Sequence, residues 1–235
     1  MSEHLTRREL KTDSFAETVG STVDYLSIHR KGAVQIVIGV VVALLVGVGV
    51  YYWMEHARGE RRAKLGEALR IADAPVGATP GQAAALTFPD QKAKDAAVVK
   101  AYSEIATRYG GTAEGAVAEY SLAAQALQAG KNDEARKRFG MVADSGSKEY
   151  AAMAKLALAQ LDFAEGKDAE GEKRLRDLME NPAVTVSKDQ ATVTLARLLA
   201  KKRPAEARAL LKPLLDQKGN VAQVAQLVQA DIPAK

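Results

Sequence analysis

The chain has 235 residues, 33 basic and 29 acidic side chains, 5% aromatics and no cysteine. That length fits one soluble domain with a short appendage, and the missing cysteine excludes a disulfide framework, thiolate zinc, an iron–sulfur cluster, a cysteine nucleophile and a lipid-modified N-terminal cysteine. Residues 1–31 carry 5 basic and 5 acidic groups, 55–90 carry 5 and 5, and 91–235 carry 23 and 19, so no segment has the basic footprint of a nucleic-acid binder.

Residues 1–31 form a polar N-terminal tail, in which Leu10, Phe15, Val19, Val23 and Leu26 trace a weak helical stripe. Residues 32–54 read GAVQIVIGVVVALLVGVGVYYWM, 23 residues without a charge. As helix they extend roughly 34 Å, enough for a hydrocarbon core of about 30 Å. A secretory signal has a shorter apolar run, about 7–15 residues, ending at a small-residue cleavage site. Here the run ends in Tyr51, Tyr52 and Trp53, which suit the headgroup interface. A single, uncleaved transmembrane helix is predicted, with the lipid bilayer as a partner. Gly39, Ala43 and Gly47 recur at four-residue spacing, a small-residue face that permits close contact between membrane helices and gives a route to a homo-oligomer.

Residues 55–72 continue as a juxtamembrane helix, with Leu65, Ala68, Leu69 and Ala72 on one face. Arg58, Arg61, Arg62 and Lys64 form a basic cluster that reads either as a contact for anionic lipid headgroups or as a solvated face. Residues 73–90 hold Pro75, Pro80 and Pro89, which interrupt helix and mark a linker.

From residue 91 to 235 the pattern is helical and repeats. Glu134, Glu170 and Glu206 are 36 apart, as are Ala135, Gly171 and Ala207, and Phe139, Leu175 and Leu211. Upstream, Ala123, Ala159 and Leu195 keep the step, and so do Leu127, Phe163 and Leu199. Each unit reads as two antiparallel helices. The first is predicted over 115–129, 149–165 and 188–201, the second over 133–143, 168–180 and 204–215. Pro204 falls at a helix start, where its missing N–H is not needed, whereas Pro213 is expected to kink or end the last second helix early. The small residue at Ala135, Gly171 and Ala207 lets the paired helices approach, and the large one four positions later fills the space beneath. Residues 91–109 supply a leading helix and 221–229 a closing one.

These positions resemble the tetratricopeptide repeat, best in the first copy: Leu122, Ala123, Ala126, Gly130, Glu134, Ala135 and Phe139. The fold class expected is therefore all-α, a tetratricopeptide-like solenoid of about three helix hairpins flanked by a helix at each end and preceded by the membrane helix. The resemblance implies that first helices line a concave protein-binding groove. That places Val117, Tyr120, Ala124 and Leu127 on it from the first copy, and Met153, Leu156, Gln160 and Phe163 from the second. The third contributes Asp189, Thr192, Ala196 and Leu199. Such a surface, apolar and low in charge, fits an apolar segment or a partner helix.

His4, His29 and His56 flank the membrane helix, and no pair of them has metal-ligand spacing. Neither a nucleophile triad nor a phosphate-binding loop is legible, so the sequence points away from an enzyme, a cofactor or a metal. The whole layout, with AYSEIATRYGGTAEGAVAEYSLA at 101–123, is similar to the ancillary SecYEG translocon subunit family. That resemblance implies a bacterial inner-membrane protein whose periplasmic repeats serve as a scaffold for translocon subunits, periplasmic chaperones or newly translocated chains. A self-associating assembly factor of an envelope complex, such as division or pilus machinery, is the alternative. Flanking charge points the other way on topology. Arg30 and Lys31 precede the helix, while Arg58, Arg61, Arg62 and Lys64 follow it, a count that alone would hold the repeats in the cytoplasm.

Overall fold

The computed structural model describes residues 30–77 and 86–233, and among them the chain is all-helical, with nine helices and no strand. The stripe over residues 10–26 lies outside the described residues. Two compact units divide the chain, Met1–Gly59 and Glu60–Lys235, and each is taken by itself.

Helix α1 spans Arg30–Asp73. In the first unit, every described side chain from Val34 to Met54 is exposed, including Val34, Leu44, Tyr52 and Trp53. An apolar helix that buries none of its faces in protein is what a hydrocarbon phase accommodates, because all its backbone polar groups are paired internally. By length and composition this helix can cross a membrane.

The second unit begins at Glu60, ahead of the expected domain start at residue 91. The reason is packing at the end of α1. Ala68 is buried with Val98, Tyr102, Ile105, Ala118 and Leu122, and Leu65 and Ala72 pack against them. The Tyr109 hydroxyl donates to Glu60 at 3.0 Å, and Arg61 reaches Glu114 at 3.4 Å. The proline-containing stretch is closed at its base: Gly77 N–H donates to the Phe88 carbonyl at 2.8 Å and Phe88 N–H to the Pro75 carbonyl at 3.1 Å.

Eight helices follow: α2 (Gln91–Arg108), α3 (Ala113–Gln128), α4 (Asn132–Ala143), α5 (Lys148–Ala164), α6 (Asp168–Glu180), α7 (Lys188–Leu199), α8 (Pro204–Leu215) and α9 (Asn220–Ala230). Local chemistry sets their starts. Side-chain oxygens of Asp90, Thr112 and Ser187 accept the N–H of Ala93, Gly115 and Gln190, capping α2, α3 and α7. From α2 onward each helix packs on the next, and α3 with α5, α5 with α7, and α7 with α9 also touch.

Three of these helices start at one spacing. Helices α4, α6 and α8 begin at Asn132, Asp168 and Pro204, in steps of 36 residues. Ala123, Ala159 and Leu195 are fully buried, as are Ala135 and Ala207, and Phe139, Leu175 and Leu211 sit beneath them in the core. Turns end α3 and α5 alike. Gly130 and Gly166 take φ of 71° and 78°, and the next residues, Lys131 and Lys167, donate their N–H to Ala126 and Asp162 carbonyls at 2.9 and 2.7 Å. Both are Schellman turns, where a left-handed residue recovers the last helical carbonyls. Lys202 stands at that place in the third copy, and there Arg203 N–H returns to Leu199 instead, without positive φ. Pro213 does not end α8 early. It lies within the final turn, where few hydrogen bonds remain to be lost, and the helix runs on to Leu215.

Candidate protein-binding face

The first-helix positions separate into three groups. On α3, Val117, Tyr120 and Ala124 are half-buried, and Tyr120 and Ala124 rest on the cluster containing Ala123, Ala135 and Phe139. Tyr120 meets Phe139 edge-on at 5.4 Å and Tyr150 at 6.0 Å, so three rings from α3, α4 and α5 brace one another. Burial raises the Tyr120 hydroxyl above its ordinary 10.0, and the neighbouring Tyr150 adds to that. On α5, Met153, Leu156 and Phe163 are half-buried against the neighbouring core, while Gln160 is exposed. Leu127, at the end of α3, is exposed at 38%.

The third copy does not contribute as expected. Thr192 and Ala196 are buried at 6% and 0%, and Leu199 at 1%. The Thr192 hydroxyl is spent on the Lys188 carbonyl at 2.8 Å. Helix α9 packs on α7, and Ala196 and Leu199 share their core with Ala225, Val228 and Ile232 of the closing segment. The candidate face is thus carried by α3 and α5, with only Asp189 of the α7 positions left half-buried.

Gly171 explains how α6 seats under α5. A Cβ there would lie 2.6 Å from a Phe163 ring carbon and 2.9 Å from the Ala159 carbonyl oxygen. Phe163 therefore has one edge against α6, and the side chain as a whole is half-buried. Gly39 and Gly47, by contrast, have nothing within 4 Å of an added Cβ; with Ala43 they lie exposed along α1.

Asp162 is a residue that sequence reasoning passed over. It is 1% exposed and accepts from Arg136 at 2.6 Å and Arg174 at 2.9 Å, tying α5 to α4 and α6; Arg136 also holds Glu165 at 2.8 Å. A single acid near the end of an amphipathic helix looks like a solvated one, and its partners lie 26 and 12 residues away. The basic cluster after the membrane segment is also largely occupied. Arg58 pairs with Glu55, Arg61 with Glu114 and Lys64 with Glu67.

Among the described residues, no three His, Cys, Asp or Glu side chains are arranged to hold a metal ion. The first-helix positions of α3 and α5 together present a half-buried, largely apolar surface braced by the rings of Tyr120, Phe139 and Tyr150. In comparisons with known proteins, the chain matches no family model, no curated protein and no solved structure.

Proposed function

We propose that this chain is a membrane-anchored, non-catalytic protein-binding scaffold whose three helix hairpins stack as a tetratricopeptide-like solenoid. The observation that carries the reading is the half-buried row Val117, Tyr120 and Ala124 on α3 continued by Met153 and Leu156 on α5. Half-burial gives these side chains both a fixed position and a free edge, the condition for a partner to lose water against them at little ordering cost. The 36-residue step of α4, α6 and α8, with contacts between first helices two elements apart, supports the stacked arrangement. The resemblance noted above supports a bacterial inner-membrane location, a periplasmic repeat domain, and translocon subunits, periplasmic chaperones or newly translocated chains as partners.

Site-specific photo-cross-linking tests this in cells. A cross-linker at Tyr120 or Met153 is expected to capture translocon or periplasmic chaperone subunits, and capture of a periplasmic chaperone also assigns the side of the membrane. Adducts confined to copies of the chain itself, or to cytoplasmic proteins, would overturn the proposal.

A further inference from the structure

A groove of about 830 Å³ lies within the second unit, between residues 64–71 of α1 and 97–109 of α2. Its α2 wall runs from Ala97 to Tyr109 and adjoins the core that holds Val98 and Tyr102, since Ile105 belongs to both. Within that wall Ala97 and Thr107, Lys100 and Glu104, and Ala101 and Ser103 stand at equal distances along the chain from Tyr102, each pair small against small or cation against anion.

The charges of the groove are not equally engaged. Lys64 holds Glu67 at 3.0 Å and Arg108 holds Glu60 at 3.1 Å. Lys100 and Glu104 are exposed, and neither is in an ion pair among the described residues. They project from one helix wall four residues apart with opposite sign. A partner of one charge would satisfy one and repel the other.

We propose that this face docks a second copy of the chain, α2 against α2, antiparallel about a two-fold axis level with Tyr102. That symmetry brings Lys100 opposite the second copy's Glu104 and Glu104 opposite its Lys100, so one contact satisfies both charges twice. Ala97, Ala101 and Ser103 let the two helix axes come close. A self-complementary patch of this kind is what an isologous interface requires, and it closes at two subunits. This assignment is independent of the partner proposed for the α3 and α5 face.

Charge reversal in the full chain, reconstituted in nanodiscs or micelles and followed by sedimentation, tests it. The wild type is expected to be dimeric. Lys100→Glu or Glu104→Lys, each placing like charges opposite one another twice, weakens the dimer at least about tenfold. The Lys100→Glu/Glu104→Lys double variant, with signs exchanged, restores it. In this cysteine-free chain, mixed Ala101→Cys and Ser103→Cys proteins form disulfide dimers faster than either mixes with the exposed control Val184→Cys. A monomeric wild type, single reversals without effect, or a double variant no better than the singles at unchanged helicity would each overturn the proposal. So would a dimer lost on Gly39→Leu/Gly47→Leu yet indifferent to both charge reversals.

Discussion

Gly171 carries more of the fold than its size suggests. The 36-residue register makes it equivalent to Ala135 and Ala207, so a small residue is legible there from sequence. Its being the smallest of the three follows from Phe163, whose ring occupies the volume a methyl group would need. Gly171→Ala is therefore expected to destabilise the second unit by about 1–3 kcal/mol, the usual cost of overpacking a close helix contact. Chemical denaturation followed by circular dichroism reads this. Combining it with Phe163→Leu should recover part of the loss, since the ring contact at 2.6 Å disappears while the Ala159 carbonyl at 2.9 Å stays; strictly additive losses would show that the ring is not the obstacle. Asp162 makes the opposite point at the same scale. Nothing in its sequence neighbourhood marks it as buried, because the burial comes from two arginines on helices that only packing brings beside it.

At the scale of the element, the turns after α3 and α5 are built alike and the turn after α7 is not. Gly130 and Gly166 adopt left-handed backbone that a Cβ disfavours by roughly 1–2 kcal/mol. Gly166→Ala should cost about that amount, read from the shift in denaturation midpoint. Lys202→Gly should bring no gain, because that position has no positive φ to relieve. A neutral Gly166→Ala would mean that the turn relaxes to another conformation. Helix starts were readable to within two residues or so from prolines, apolar spacing and the 36-residue step. The end of α8 was not, since Pro213 is a strong local signal against helix and yet falls where the helix was about to finish. Helix α1 shows the same limit in another form. Its stripe at Leu65, Ala68 and Ala72 was visible, but that the stripe is taken up by α2 and α3 depends on residues more than 25 positions away.

Across the whole second unit, successive helices are pinned by ion pairs as well as by the core. Lys155 binds Asp177 between α5 and α6, and Arg203, at the start of α8, binds Glu172 of α6. Arg203's hydrogen bond holds the Glu172 carboxyl below its ordinary 4.5, against some desolvation, and that of Lys155 does the same for Asp177 below 3.8. A carboxylate whose folded value is depressed contributes stability that is present above its unfolded value and lost as pH falls through the folded one. The melting temperature of the second unit is thus expected to hold from neutrality to about pH 4.5 and to drop below it. Glu172→Gln should lower the neutral value slightly and make the acid fall shallower. An acid limb unchanged by that substitution would assign the loss to other carboxylates.

What the sequence by itself determined was everything written in local periodicity. An uncharged 23-residue run, a 36-residue step and three proline positions are properties of short windows, and they specified a membrane-competent helix, an all-helical chain and the register of its second helices. What only tertiary structure decided was which apolar positions stay available. Thr192 and Ala196 repeat the pattern of Tyr120, Ala124, Leu156 and Gln160, yet both are buried, and Ala196 shares its core with Ala225 and Val228 of α9. Periodicity fixes the face of a helix on which a residue lies. Whether another helix covers that face depends on contacts distant in the chain, which no repeat encodes.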